Sequence, residues 1–142
     1  MKEKNMRSLF DVKAPVPFDS DVFEKMRASA SEVLKDKKTD RYAQVIVALT
    51  ESGNEHCIFV PNALTEEKAN EKALIEKLIA ESDTVITHLL CLWHDGEYSI
   101  DIASFDFRDM LLKMNEANLN TKIFVLTKDG YSSILLRYTV NK

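Results

Sequence analysis

Hydrophobic positions along this chain pass from a helical period to a strand period three times over. Between residues 20 and 36, Phe23, Met26, Ala30, Val33 and Leu34 recur at three- and four-residue steps, which predicts a first helix with a single apolar stripe. Asp21 followed by Glu24 supplies a start of the capping-box kind. Residues 42–50 (YAQVIVALT) and 56–60 (HCIFV) are rich in side chains that suit strands. A turn at Ser52-Gly53-Asn54 joins them, and Pro61, with no N–H to offer a ladder, stops the second. Thr65 then caps a second helix whose first turn carries Glu66 and Glu67 at the positive end of the dipole. On that helix Ala73, Leu74, Leu78 and Ile79 are expected inward with Ile75 at the margin, and Glu71, Lys72, Glu76 and Lys77 outward in solvent. After an alternating stretch at 84–103, Ser104 or Asp106 caps a third helix with the stripe Phe107, Met110, Leu111, Met114 and Ala117. Asn118 or Asn120 supplies its left-handed exit. Residues 121–127 and 131–140 close the chain as a hairpin around Asp129-Gly130.

The stretch 84–103 organises the rest. Asp-Gly between alternating apolar runs favours a two-residue type I′ turn, because both central residues need φ > 0. A turn at Asp95-Gly96 sets Trp93 opposite Tyr98, Cys91 opposite Ile100, Leu89 opposite Ile102 and Leu90 opposite Asp101. One face then collects Val85, Leu89, Cys91, Trp93, Tyr98, Ile100 and Ile102 and meets the helices. The other carries Ile86, His88, Leu90 and Leu92 against Ser99, Asp101 and Ala103, and is mixed in character. The expected fold is α+β: a six-stranded, largely antiparallel sheet built from three hairpins in the order α-ββ-α-ββ-α-ββ, with helices on one face. A connection through a helix can set two hairpins parallel at their seam. HDGEYSI and KDGYSSI echo one another weakly, as hairpins do. Residues 1–17 read as an arm and 18–142 as a single domain.

Composition narrows the classes. A net charge of −4 disfavours a dedicated nucleic-acid binder, and the basic cluster Lys35, Lys37, Lys38 and Arg41 reads as a solvated helix end before it reads as an anion patch. The opening MKEKNMRSLF has no apolar run, so no secretory signal is expected, and no stretch approaches a membrane span. Cys57 and Cys91 both fall in strands as buried thiols, which suits a reducing cytoplasm. All three glycines, Gly53, Gly96 and Gly130, are used in turns, so neither a P-loop nor a dinucleotide fingerprint can be built. Gly-x-Ser-x-Gly and His-Glu-x-x-His are absent, and so is the Pro-Cys-x-x-Cys of zinc deaminases. His56 and Cys57 are adjacent on a strand and point apart, so no metal and no cofactor is expected.

Candidate chemistry is sparse. His88 lies diagonal to Asp101 in the expected register, and a carboxylate beside an imidazole is the arrangement of a general base. The plainer reading is two polar residues wetting an open sheet. Cys91 between Leu89 and Trp93 reads as packing, not as a nucleophile. The mixed face gathers Ile46, Ala48, Ile86, Leu90, Leu92, Phe124, Leu126 and Leu135 among Gln44, His88, Ser99, Asp101, Ser133 and Arg137. An apolar patch of that extent calls for cover, by the arm or by another protein. The first functional expectation is thus a non-catalytic cytoplasmic binding or assembly module, a homodimer formed through Ile86, His88, Leu90, Leu92, Asp101, Leu135 and Arg137. The alternative is a small-molecule enzyme or ligand-binding domain with its pocket on that face, using His88 and Asp101 with Tyr98 or Arg137 at the rim.

Overall fold

A strand whose apolar residues run on without alternation must be covered on both sides, and Val45, Ile46, Val47 and Ala48 form such a run: all four are fully buried. In the computed structural model, which describes residues 17–35, 43–61, 67–94 and 98–140, they lie on an inner strand between two helical layers. The elements are α1 (Ser20–Lys35), β1 (Ala43–Thr50), β2 (Glu55–Val60), α2 (Glu67–Ala80), β3 (Ile86–His94), β4 (Tyr98–Ile100), α3 (Phe105–Met114), β5 (Lys122–Thr127) and β6 (Gly130–Leu135). Short 3₁₀ turns at Glu116–Asn120 and Leu136–Tyr138 complete them.

The sheet has six strands in the order β2-β1-β3-β5-β6, with β4 paired to the end of β3. It is mixed: β3 and β5 run parallel, His88 beside Lys122 and Leu89 beside Ile123, and the other pairs are antiparallel. The α+β class and the six strands match the expectation. Helices on one face do not. The stripe of α1 (Phe23, Met26, Ala30, Leu34) packs on Val45, Val47, Leu90, Leu92, Ile100 and Phe124. Helices α2 and α3 pack on the opposite face, against Ile46, Ala48, Leu89, Cys91, Ile123 and Val125. The face expected to stand open is the one α1 covers.

Two one-residue shifts explain how the facing assignments failed. In the central hairpin Leu92 pairs with Ile100, Trp93 with Ser99 and His94 with Tyr98. Three residues therefore separate the paired ends where two were expected, and the Asp95-Gly96 turn itself lies outside the described residues. Ile100 consequently joins Leu90 and Leu92 under α1. Across β1 and β3, Leu49 pairs with His88 but Thr50 with Ile86, so Thr87 is an extra residue in β3. A bulge of this kind reverses the alternation beyond it, and Ile86 enters the α2–α3 core instead of the face of His88. Ile46 and Ala48, paired to Cys91 and Leu89, belong to that core as well. Leu135 ends β6 half-buried, and Arg137 is exposed on the 3₁₀ turn after it. The expected arm falls almost entirely outside the described residues.

Helix ends show local causes. Ser82, with φ 55°, ends α2: its N–H donates to Ile79 O and the Asp83 N–H to Leu78 O, the two bonds of a left-handed helix stop. Ser104 caps α3 by accepting from the Phe107 N–H at 3.1 Å. No left-handed exit occurs at Asn118 or Asn120, since Ser82 is the only non-glycine with positive φ among the described residues. Asn118 is instead a fully buried clasp. Its Oδ1 accepts from the Ile86 N–H at 2.7 Å, and its Nδ2 donates to Thr84 O at 3.0 Å and Leu111 O at 2.9 Å. No helix among the described residues is long and apolar enough to cross a membrane.

Candidate functional site at the starts of α2 and α3

The clasp at Asn118 and the exit of α2 at Asp83 hold both helix C-termini beside the first residues of β3. Both N-termini therefore converge at the opposite end, where β3 finishes at Trp93 and His94. Glu71, one turn into α2, is fully buried there. The Ser104 hydroxyl at the start of α3 reaches its two carboxylate oxygens at 3.2 and 3.3 Å, so one side chain both caps α3 and meets α2. Asn70 Nδ2 donates to Phe59 O at 3.0 Å and ties the helix start to the end of β2. Arg108, a turn along α3, donates from Nε to Ala103 O at 2.9 Å and from Nη1 to Thr139 O at 2.5 Å, and covers the Phe105 ring. Burial lowers the pKa of its guanidinium.

Glu71 corrects the expected helix phase. The buried stripe of α2 is Glu71, Leu74, Ile75 and Leu78, and Ile79 is exposed. A carboxylate at the first position of an i, i+3, i+4, i+7 stripe is a readable signal, and the expectation of a solvated Glu71 does not hold. Gln44 and Trp93 face each other across β1 and β3 on this same side of the sheet. Gln44 is fully buried, and among the described residues neither its Oε1 nor its Nε2 has a hydrogen-bond partner; the buried Trp93 Nε1 has none there either. Leaving such a group unpaired costs about 1–3 kcal/mol.

The structure does not bring His88 and Asp101 together. Asp101 is exposed just beyond β4, where its N–H donates to Cys91 O at 3.1 Å and its carboxylate accepts from the Ile102 N–H at 2.8 Å. It stands beside Cys91, whose side chain points away from the α1 face that His88 occupies. The carboxylate partner of His88 is Asp19, which immediately precedes α1, with Nε2 to Oδ2 at 2.7 Å. Lys122 Nζ donates to the same oxygen at 3.1 Å, Thr87 Oγ1 lies 2.9 Å from Nδ1, and the ring stacks on Phe124. The His88 hydrogen bond and then Lys122 hold the Asp19 carboxyl below its usual range. Both ring nitrogens are engaged, and through Asp19 His88 fastens α1 to the sheet.

A second polar cluster is also saturated. Asp83 accepts from Ser52 Oγ at 2.7 Å, Thr50 Oγ1 at 2.9 Å and Asn54 Nδ2 at 3.2 Å, with His56 Nε2 at 3.3 Å. These bonds, Ser52 foremost, lower its pKa to about 2. They pin the β1–β2 turn to the exit of α2, beside a cavity of about 200 Å³ lined by Glu51, Ser52, Ser82, Asp83, Thr84 and Val85. Cys57 is exposed on edge strand β2, not buried as expected, and desolvation with nearby Glu55 pushes its thiol up to about 11. Cys91 is buried on the opposite face of the sheet. Among the described residues no three His, Cys, Asp or Glu side chains are grouped to hold a metal ion.

No family model and no curated protein matches the sequence. Solved structures do match. A cytidine deaminase from Mycobacterium leprae aligns with a TM-score of 0.56 at 11% identity, over 84% of this chain and 98% of its own. The cytidine deaminase from Bacillus anthracis gives 0.57 at 11% identity over 80% and 84%. A mutant cytidine deaminase from Mycobacterium tuberculosis gives 0.55 at 17% identity over 80% and 90%. Nucleobase deaminases of the zinc class carry His-x-Glu and Pro-Cys-x-x-Cys, three metal ligands around a catalytic glutamate. The residues here do not fit that ion. Glu71 is preceded two positions earlier by Ala69, and the start of α3 reads Ala103-Ser104-Phe105-Asp106-Phe107, with Phe107 fully buried in the core. With enzymes as its structural neighbours and α1 over the supposed open face, the reading as a non-catalytic module self-associating through that face is overturned. The chain has a cytidine deaminase-like fold in which Ala69 and Ser104, at the starts of the two helices, offer neither the thiolate nor the imidazole that zinc would need.

Proposed function

We propose that this chain is a small-molecule enzyme or ligand-binding domain that takes a nucleoside-like ligand at the starts of α2 and α3 and works without zinc. The observation that carries this reading is the buried Glu71 carboxylate, held by Ser104 where two helix N-termini converge. Aligned N–H groups at such ends favour negative charge and ligand oxygens, and a buried carboxylate is a strong acceptor that can hold a ligand N–H or O–H. The likeness to cytidine deaminases supports a nucleoside as the ligand class. The exposed thiol of Cys57 supports a reducing cytoplasm as its setting. Assembly as a homo-oligomer stays within the proposal.

Calorimetric titration of chelator-treated protein with cytidine and with uridine tests the reading. Saturable binding, weakened in Glu71→Gln, is expected. Protein that purifies with one zinc per chain, or that binds neither nucleoside, overturns it.

A further inference from the structure

We infer that Gln44 and Trp93 form the specificity-determining pair of this site, reading the edge of a small planar heterocycle that presents a hydrogen-bond donor and acceptor side by side. This rests on the location proposed above. Gln44 begins the second position of β1 and Trp93 is its partner on β3, so their side chains emerge together on the α2–α3 side. On its other flank Gln44 pairs with Val60, the residue after Phe59, whose carbonyl takes the Asn70 amide. Gln44 therefore stands one strand in from the Asn70–Glu71 step of α2, and Trp93 packs against the core that includes Leu74, Ala103 and Phe107.

Three side-chain polar atoms, Gln44 Oε1, Gln44 Nε2 and Trp93 Nε1, are buried together here without a partner among the described residues; the one other such atom, Ser133 Oγ, stands alone on the opposite face of the sheet. In folded proteins groups of this kind are nearly always satisfied, and His88, Asp83 and Asn118 in this chain all follow that rule. A primary amide offers one donor and one acceptor in a plane, which complements a ring N–H beside a ring C=O, as in a lactam or a pyrimidinone. Rotation of the amide serves the reversed order equally. The indole N–H, a donor only, selects a ring that carries a further acceptor on the flank.

The test uses the full chain with uridine as probe and 3-methyluridine, whose ring N–H is blocked, as control. Uridine is expected to bind at least about tenfold more tightly than the methylated control, from two hydrogen bonds of ordinary strength. Gln44→Leu removes the amide but keeps its bulk: it should weaken uridine by about tenfold, erase the discrimination, and keep or raise Tm, because the amide has no partner to lose. Trp93→Phe should weaken uridine several-fold at unchanged Tm. If the wild type binds uridine and Gln44→Leu binds it equally well, the pair does not read the ligand, and the proposed site survives without it. Should Gln44→Leu instead lower Tm with affinity untouched, the amide serves the fold through ordered water and the inference is wrong. A wild type that binds neither uridine nor cytidine removes both this pair and the function proposed above.

Discussion

Replacing Asn118 by Ala tests whether one side chain holds α3 in register with the sheet. Asn118 bonds three backbone groups from two elements: the Ile86 N–H that opens β3, Thr84 O just before it, and Leu111 O in α3. It is fully buried, so none of the three can turn to water once the amide is gone. An N–H stranded in that way costs about 1–3 kcal/mol, and two carbonyls with a second lone pair elsewhere cost less, for a total of about 3–5 kcal/mol. Domains of this size hold about 5–15 kcal/mol in all, so the variant should keep its fold with much of its margin gone. At about 2–4 °C per kcal/mol, Tm should fall by about 6–20 °C. Asn118→Asp keeps the acceptor for Ile86 but turns a carboxylate oxygen onto two carbonyls, and should do no better than Ala. Asn120, two residues on, is the control: it is exposed, and its Oδ1 accepts from Arg137 Nη2 at 2.6 Å in solvent. Asn120→Ala should cost about 0.5 kcal/mol or less. Urea melts at matched m-values measure all three. An Asn118→Ala loss below about 1 kcal/mol, or one matched by Asn120→Ala, would falsify the clasp.

Three further outcomes follow from the polar clusters. Asp83 has its folded pKa depressed from 3.8 to about 2, so its contribution is complete above about pH 4 and disappears as the pH falls through about 2. Tm measured between pH 5 and pH 2 should therefore drop, and less steeply in Asp83→Asn; parallel profiles would show the cluster to be inert. His88→Gln, which loses the bond to Asp19 and the stack on Phe124, should cost about 1–2 kcal/mol after allowance for solvent around the carboxylate. Nucleoside binding in that variant should stay unchanged, and weakened binding at unchanged Tm would return His88 to the list of site residues. Cys57 is exposed yet stays protonated at neutral pH with its pKa pushed up to about 11. Its alkylation by iodoacetamide should lag well behind that of a free thiol; a rate equal to that of glutathione would contradict this.

Element types were legible in the sequence, and element faces much less so. The helical stripe of α1, the Ser104 cap and the strands flanking each turn all follow from period and local chemistry. Facing depends on phase, and phase turns on single residues. Asp95-Gly96 suggested a two-residue loop, but His94 and Tyr98 are the paired ends, and the one-residue difference carried Ile100 across the sheet. The Thr87 bulge did the same to Ile86, and no local pattern announces a bulge in a strand this apolar. The second face was readable in principle: VIVAL in β1 does not alternate, and unbroken apolar strands are buried twice. At the site, Glu71 stood in phase with Leu74, Ile75 and Leu78 and could have been flagged. The cap at Ser104 is local and legible, whereas its contact with Glu71 joins elements 33 residues apart and leaves no local pattern.

Polar residues in this fold fall into two kinds, and the difference bears on where function resides. Around Asp83, His88 and Asn118, side chains meet side chains or backbone until their bonding capacity is used, and each cluster lies where a helix end must be fastened to the sheet. Such clusters are explained by the fold they hold together. At the other end of the sheet, Gln44 and Trp93 keep three polar atoms from water with no partner among the described residues; the Ser133 hydroxyl, beside Phe124 on the α1 side, is in the same state. A locally unfavourable choice that adds nothing to folding is the kind expected where a protein binds something else. Glu71 adds a buried carboxylate to the same corner, tied to the start of the next helix by a serine that no zinc ion would choose. Among the described residues no metal-donor set is grouped, and the function proposed above assigns the chemistry of this corner to hydrogen bonds supplied by the chain itself.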